Sequence, residues 1–394
     1  MIPELRADFN ARFTPGKYQE FLRLLDARSG SPVKFRNCET PLFLPESILS
    51  EMAQAGVEMI TQLTGSADYL AAAEATIPPG YRTAGEVGKP LFVQADFGLV
   101  DNGDGTLSPR LVEIQGFPSL YAYQLVLSSC YRDAYSLDPG LRDLPGEMTH
   151  SQYDAILRRA IVGNHHPENV VLLEVDPESQ KTLGDFQETE RRYGIRTIDI
   201  RAVKKNGDQL VYQQEGREVP IHRIYNRAIA DEMIRRNVEL QFSFADDLQV
   251  EWAGHPNWFF LISKFSLPYL RHPAVPKTWF LDELDRVPDD LNNFVLKPLY
   301  SFAGLGVTIG PSPEDLLAVA PEKRHGYILQ ERVNFVPTVE TPHGLTKCEI
   351  RVMYVYEDRP RAVNTIIRMG RGKMMGVDRN RNMDWVGASA AFHQ

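Results

Sequence analysis

Phe294-Val-Leu-Lys-Pro-Leu-Tyr-Ser-Phe-Ala-Gly-Leu-Gly-Val307 is the stretch from which this chain is best read. Residues 294–298 read as a buried-looking strand with Lys297 at its end, and the loop behind it carries Ser301, Gly304 and Gly306. A lysine at a strand end supplies a point charge, and a glycine loop lets backbone N–H groups approach phosphate oxygens closely. The segment is neither GxxxxGK[ST] nor GxGxxG, so P-loop and Rossmann readings have no motif here. Glycine turns are common, so the surrounding residues must decide.

Upstream, Lys264 lies in Ile262-Ser-Lys-Phe-Ser-Leu-Pro-Tyr-Leu270, where the pattern predicts the start of a helix, and Val275-Pro-Lys-Thr278 follows. Downstream, residues 326–333 read as a strand containing Gln330, Glu331 and Val333. Residues 348–355 read as another, whose period of two puts Glu349 and Arg351 on one face. Arg368 precedes a glycine- and lysine-rich loop at 370–376, with Asn382 beyond it. Lys264, Lys297, Arg351 and Arg368 thus stand beside strand ends or glycine loops.

The front of the chain has a different texture. Residues up to about 80 read as helical, with Pro45 opening and Gly56 closing one apolar stripe. Leu91-Phe-Val-Gln-Ala-Asp-Phe-Gly-Leu-Val100 and Arg110-Leu-Val-Glu-Ile-Gln115 flank the turn Asp101-Asn-Gly-Asp-Gly105, which predicts a β-hairpin. The Asn-Gly-Asp-Gly cluster is turn chemistry rather than a calcium loop. From residue 169, an apolar run at 170–174, an amphipathic segment at 182–193 and a second run at 197–200 give a βαβ module, extended by 209–213 and 219–225. The divisions expected are 1–150 (helical segment and hairpin), 151–235 (βαβ module) and 236–394 (the region of the lysine loop).

Composition narrows the function. The chain has 394 residues, enough for two or three domains, with 43% hydrophobic and 24% charged residues, ordinary globular values. Lys plus Arg number 43 against 52 Asp plus Glu, a net charge of −9, which argues against sequence-blind nucleic-acid binding. Apolar runs such as Trp258-Phe-Phe-Leu-Ile262 fall far short of the ~20 residues that span a bilayer, and no signal peptide is visible. Three scattered cysteines form no CxxC, which fits a reducing cytoplasm. No HExxH or Cys/His zinc spacing appears, and the histidines show no triad-like pairing. A soluble, cytoplasmic α/β protein is expected.

In this order the segments resemble the nucleotide-binding core of the ATP-grasp ligases: Lys, Val-Pro-x-Thr, Phe-Val-Leu-Lys-Pro with a glycine loop, Leu-Gln-Glu-x-Val, Glu-x-Arg-Val, then Arg with a later Asn. The metal-binding strand pair that usually closes that fold resembles the front hairpin instead, through Gln94-Ala-Asp-Phe97 and Val112-Glu-Ile-Gln-Gly-Phe-Pro-Ser119. That order implies a circularly permuted ATP-grasp fold, similar to eukaryotic-type glutathione synthetase and the synthetase domain of glutathionylspermidine synthase, plus a βαβ substrate-binding domain.

The resemblance implies ATP and Mg²⁺ as cofactors. Asp96, Glu113 and Gln115 would be metal ligands, with Gln115 where Asn is usual and Gln94 where Arg is common. Lys264, Lys297, Ser301, Gly304 and Gly306 would meet the phosphates. Gln330, Glu331 and Val333 would line the adenine, and Glu349 would accept from the ribose. Arg351, Arg368 and Asn382 would serve phosphoryl transfer. Ser119, Arg223, Asn226 and Arg227 would face the substrate, with Glu174 and Tyr225 beside them. The activity implied is an ATP- and Mg-dependent carboxylate–amine ligase acting on small molecules through an acyl phosphate. An ATP-grasp-type kinase and a nucleotide-binding protein without turnover stay open, and so do the substrates and the oligomeric state.

Overall fold

Apolar residues three and four apart favour helix at the front of the chain. In the computed structural model, which describes residues 1–301 and 304–394, helices α1 (Pro3–Arg12), α2 (Pro15–Ser29), α3 (Glu46–Gly65) and α4 (Ala67–Glu74) precede the first long strand. Leu49, Met52, Ala55, Met59, Ile60 and Leu63 form one buried stripe along α3. That stripe lies on a sheet, where Tyr354 Oη donates to the Met52 carbonyl at 3.0 Å.

The hairpin follows as β1 (Phe92–Asp101) and β2 (Leu107–Gln115). Two helices come next, α5 (Tyr123–Tyr135) and α6 (His150–Val162), the latter opened by a Thr149/Gln152 capping box. A parallel module is built from β3 (Val170–Glu174), α7 (Leu183–Tyr193), β4 (Arg196–Asp199), β5 (Arg223–Asn226) and β6 (Glu251–Trp252), in sheet order β6-β5-β3-β4. Every residue of β3 is buried, as its unbroken apolar run requires of a central parallel strand. The run expected at 219–225 is broken at His222, whose N–H donates to the Asn169 carbonyl at 2.8 Å. Its two halves therefore join different sheets, Arg217–Ile221 in a small antiparallel sheet and β5 in the parallel one.

The rest of the chain makes two antiparallel sheets. Strands β7 (Thr278–Phe280), β8 (Phe294–Pro298), β9 (Thr308–Ile309) and β10 (Tyr327–Glu331) form the smaller, in order β7-β10-β8-β9. Strands β11 (Val339–Thr341), β12 (Gly344–Tyr356), β13 (Pro360–Gly370) and β14 (Gly387–Ser389) join the front hairpin in a six-stranded sheet. Its order is β14-β13-β12-β1-β2, with β11 paired to β12. The main core lies between this sheet and α3 and extends to the Trp258–Leu270 region and the small sheet.

Lys264 begins a single 3-10 turn, Lys264–Ser266, rather than a helix. Ser263 and Ser266 cap that turn reciprocally. Among the described residues no helix is long and apolar enough to cross a membrane.

Candidate functional site

The register of the six-stranded sheet sets out the site. Arg351 on β12 lies opposite Asp96 on β1, and Asp96 lies opposite Glu113 on β2. Gln94 lies opposite Gln115, and Glu349 opposite Arg368 on β13. Directly opposed residues share a face, as do residues two apart on one strand, so these side chains all project to one side.

Their contacts are dense. Arg351 Nε donates to Asp96 Oδ1 at 2.5 Å and Nη2 to Oδ2 at 2.7 Å, a bidentate pair. Its Nη1 donates to Gln94 Oε1 at 3.0 Å. A guanidinium carries only donors, so the Gln115 amide turns its oxygen toward Arg351 and accepts from Nη2 at 2.8 Å and Nη1 at 3.0 Å. Glu113 Oε1 lies 3.7 Å from Arg351 Nη2. Arg368 Nη2 donates to Asp96 Oδ2 and pairs with Glu349.

Burial opposes ionisation of Asp96, but Arg351 and Arg368 together hold its pKa below the usual carboxylate value. Burial pushes the Glu349 carboxyl up to about 7 against the pull of Arg368, and the charges of Asp96 and Glu113 add to the rise.

The small sheet brings Lys297 to this cluster, and the 3-10 turn brings Lys264. Lys297, at the end of β8, donates to the Val112 carbonyl at 3.0 Å, beside Glu113. Burial depresses its pKa to about 8, Lys264 lowers it further, and the charges of Glu113, Glu349 and Asp96 oppose the fall. Lys264 Nζ donates to the Ser301 carbonyl at 2.8 Å. Its segment is docked on the hairpin through the Gly116 N–H, which donates to the Ile262 carbonyl at 2.7 Å. A Cβ at Gly116 would stand 2.5 Å from the Trp258 carbonyl oxygen, so only glycine permits that approach.

Gly304 and Gly306 both take left-handed backbone, with φ of 72° and 70°. A Cβ on Gly304 would lie 2.9 Å from Met374 Cε, so the lysine-strand loop touches the 370–376 loop. Residues 302–303 of the expected phosphate loop lie outside the described residues.

Gln330 is buried on β10, with no partner for its Nε2. Glu331 Oε2 accepts from the Lys277 N–H at 3.3 Å, and the Val333 carbonyl accepts from Phe335 at 3.2 Å.

Other expected residues fall elsewhere. Asn382 is exposed, whereas Asn380, two residues earlier, is buried. Asn380 Oδ1 accepts from the Arg371 and Gly372 N–H groups at 3.2 and 3.0 Å, which shapes the 370–376 loop. Arg223 donates to the Ala160 and Ile161 carbonyls at 2.7 and 2.9 Å, closing the end of α6. It also pairs with Glu251 and lines a separate cavity of about 520 Å³ with Trp252 and Tyr356. Arg227 is paired with buried Asp185 at 2.6 Å, and Asn226 folds back on Ala228. These three are held by the parallel module's own groups because each strand-end side chain finds a partner on a neighbouring helix or loop. Ser119 stands next to the cluster, its carbonyl accepting from Gln94 Nε2 at 2.8 Å.

The sequence reading missed Asp185 and Asn380. Both are single polar residues outside any motif, and only the packing shows that they organise backbone N–H groups.

Mg²⁺ prefers several free oxygen ligands in near-octahedral geometry. Here both oxygens of Asp96 and the amide oxygens of Gln94 and Gln115 face guanidinium nitrogens. Among the described residues, no group of three or more His, Cys, Asp and Glu side chains could hold a metal ion. In this arrangement the oxygen set expected to bind Mg²⁺ fits a guanidinium and does not fit the metal.

No family model matches the chain, and no curated protein matches it. Among solved structures, it is similar to a glutathione-synthetase-like effector (GSS30) from Globodera pallida in its apo form. The TM-score is 0.59 at 12% identity, over 96% of this chain and 99% of that one. The likeness shows a shared fold, a mixed α/β architecture of several sheets.

Proposed function

We propose that this chain binds ATP between the four-stranded and six-stranded sheets and uses it as a carboxylate–amine ligase. The observation that carries the reading is the meeting of Lys297, on the small sheet, with the β2 backbone beside Glu113, whose Oε1 lies 3.7 Å from Arg351 Nη2. The order of the elements, hairpin first and lysine strand later, is read as a circular permutation of the ATP-grasp core. The fold shared with a glutathione-synthetase-like protein supports it at the level of architecture.

In this reading Lys264 and Lys297 meet the α- and β-phosphates, and Ser301, Gly304 and Gly306 approach the triphosphate. Gln330, with its unpartnered buried amide nitrogen, and the Glu331 and Val333 backbone face the adenine. A substrate carboxylate attacks the γ-phosphorus and releases ADP, leaving an acyl phosphate. An amine then attacks the acyl carbon, and phosphate leaves with formation of the amide. The protein contributes positioning and electrostatic stabilisation of the spreading negative charge, from Arg368 and the lysines. Ser119 is the substrate-side residue nearest this cluster by its contact with Gln94.

A second reading, nucleotide binding without turnover, is favoured by the capture of Asp96 by two arginines. Incubating the purified chain with ATP and a pool of amino acids, short peptides and polyamines separates the two. ADP plus phosphate with a new amide supports the ligase, and tight binding without ADP supports the second reading. Failure to bind any nucleotide rejects both.

A further inference from the structure

We propose that the guanidinium of Arg351 is the resident cation of the oxygen cage made by Gln94, Asp96, Glu113 and Gln115, and that the site therefore takes a nucleoside polyphosphate without a divalent ion held by that cage. The identity of the anion rests on the nucleotide reading above; the placement of Arg351 does not.

The placement is built into the sheet. Arg351 and Asp96 are register partners on adjacent strands, and Glu113 is the next residue along the same row. The guanidinium sits among the side-chain oxygens of all four residues. It makes contacts of 2.5–3.0 Å to Asp96, Gln94 and Gln115, and lies 3.7 Å from Glu113. Planar forked donors match such an oxygen set, whereas a compact ion would have to displace a bidentate, charge-assisted pair. Asp96 is 1% exposed, so breaking that pair without a replacement would leave a buried charge uncompensated.

Charge points the same way. The cluster contains the carboxylates of Asp96, Glu113 and Glu349 and the cations Arg351, Arg368, Lys297 and Lys264. With all seven ionised it carries one excess positive charge. A further divalent cation would enter a field that already repels it, whereas a polyphosphate would enter one that attracts it.

The test uses the full chain. Affinity for a non-hydrolysable ATP analogue is measured by calorimetry in EDTA and again with excess Mg²⁺, and Mn²⁺ uptake is followed by electron paramagnetic resonance without nucleotide. The wild type is expected to bind the analogue equally in both buffers, within about twofold, and to take up no stoichiometric Mn²⁺. Arg351→Met is expected to gain one bound Mn²⁺, at least about tenfold tighter than any wild-type uptake, while Arg351→Lys, which keeps the charge, stays without it.

Analogue binding that requires Mg²⁺, or stoichiometric Mn²⁺ on the wild type, overturns the proposal. So does a folded Arg351→Met that gains no Mn²⁺. If the analogue does not bind at all, the nucleotide reading falls and the Mn²⁺ measurements still judge Arg351. The wild-type measurements need no variant, so a misfolded Arg351→Met leaves the matter decidable.

Discussion

Lys297 Nζ donates to the Val112 carbonyl at 3.0 Å across 185 residues of chain. This bond joins the end of an inner strand of the small sheet to the edge strand of the large sheet. It puts the lysine next to the carboxylate of Glu113.

Lys297→Ala is expected to weaken nucleotide binding. Loss of a charge-assisted contact costs roughly 1.5–3 kcal/mol, which is about ten- to a hundredfold in Kd. Calorimetric titration with ATP reads the change, and an unaltered Kd would remove Lys297 from the phosphate site.

Asp185 should be among the most sensitive positions for stability. Its carboxylate accepts from the N–H groups of Leu120, Ala122 and Tyr123 at 3.1, 3.0 and 3.0 Å and pairs with Arg227 at 2.6 Å. Asp185→Ala leaves a buried guanidinium and the start of α5 unpaired, a loss of about 3–5 kcal/mol. Thermal unfolding should shift well below the wild type, and an unchanged melting curve would contradict the buried pairing.

Gly56→Ala and Gly65→Ala make a matched pair on α3. A Cβ at Gly56 would stand 1.9 Å from Tyr354 Oη, while at Gly65 nothing lies within 4 Å. The first substitution is expected to destabilise by about 1–3 kcal/mol through overpacking. The second is expected to be neutral or to stabilise by up to about 1 kcal/mol through helix propensity. Denaturant titration of both variants decides, and equal effects would mean that α3 does not rest on Tyr354.

Glu174 predicts a pH dependence of stability. Burial raises its pKa from 4.5 to about 8, with Arg227 pulling the other way. The folded chain therefore keeps a proton that the unfolded chain releases. This contribution is full below pH 4.5 and is lost progressively as pH rises to about 8. The slope across that window is about 1.4 kcal/mol per pH unit. Glu174→Gln should flatten that part of the stability–pH profile and raise stability above pH 8, measured by urea unfolding at several pH values. A variant with the wild-type profile would refute the assignment.

Local structure was largely legible before folding. The strand at 294–298, the hairpin around residues 101–105 and the β-α-β order after residue 169 depend on strand period, turn residues and helix-ending glycines. Those signals act between neighbours in the chain. His222 marks where that reading stops: the apolar run continues past it, but the backbone bond to Asn169 splits the run between two sheets.

The sequence by itself determined the lysine strand, the front hairpin and the β-α-β order after residue 169, in a chain of net charge −9. Only the tertiary structure decided which charges meet. Arg351 reaches Asp96 across 255 residues and Arg227 is held by Asp185, 42 residues away. Such pairings follow from strand register and buried packing between distant elements, and neither leaves a trace in local spacing.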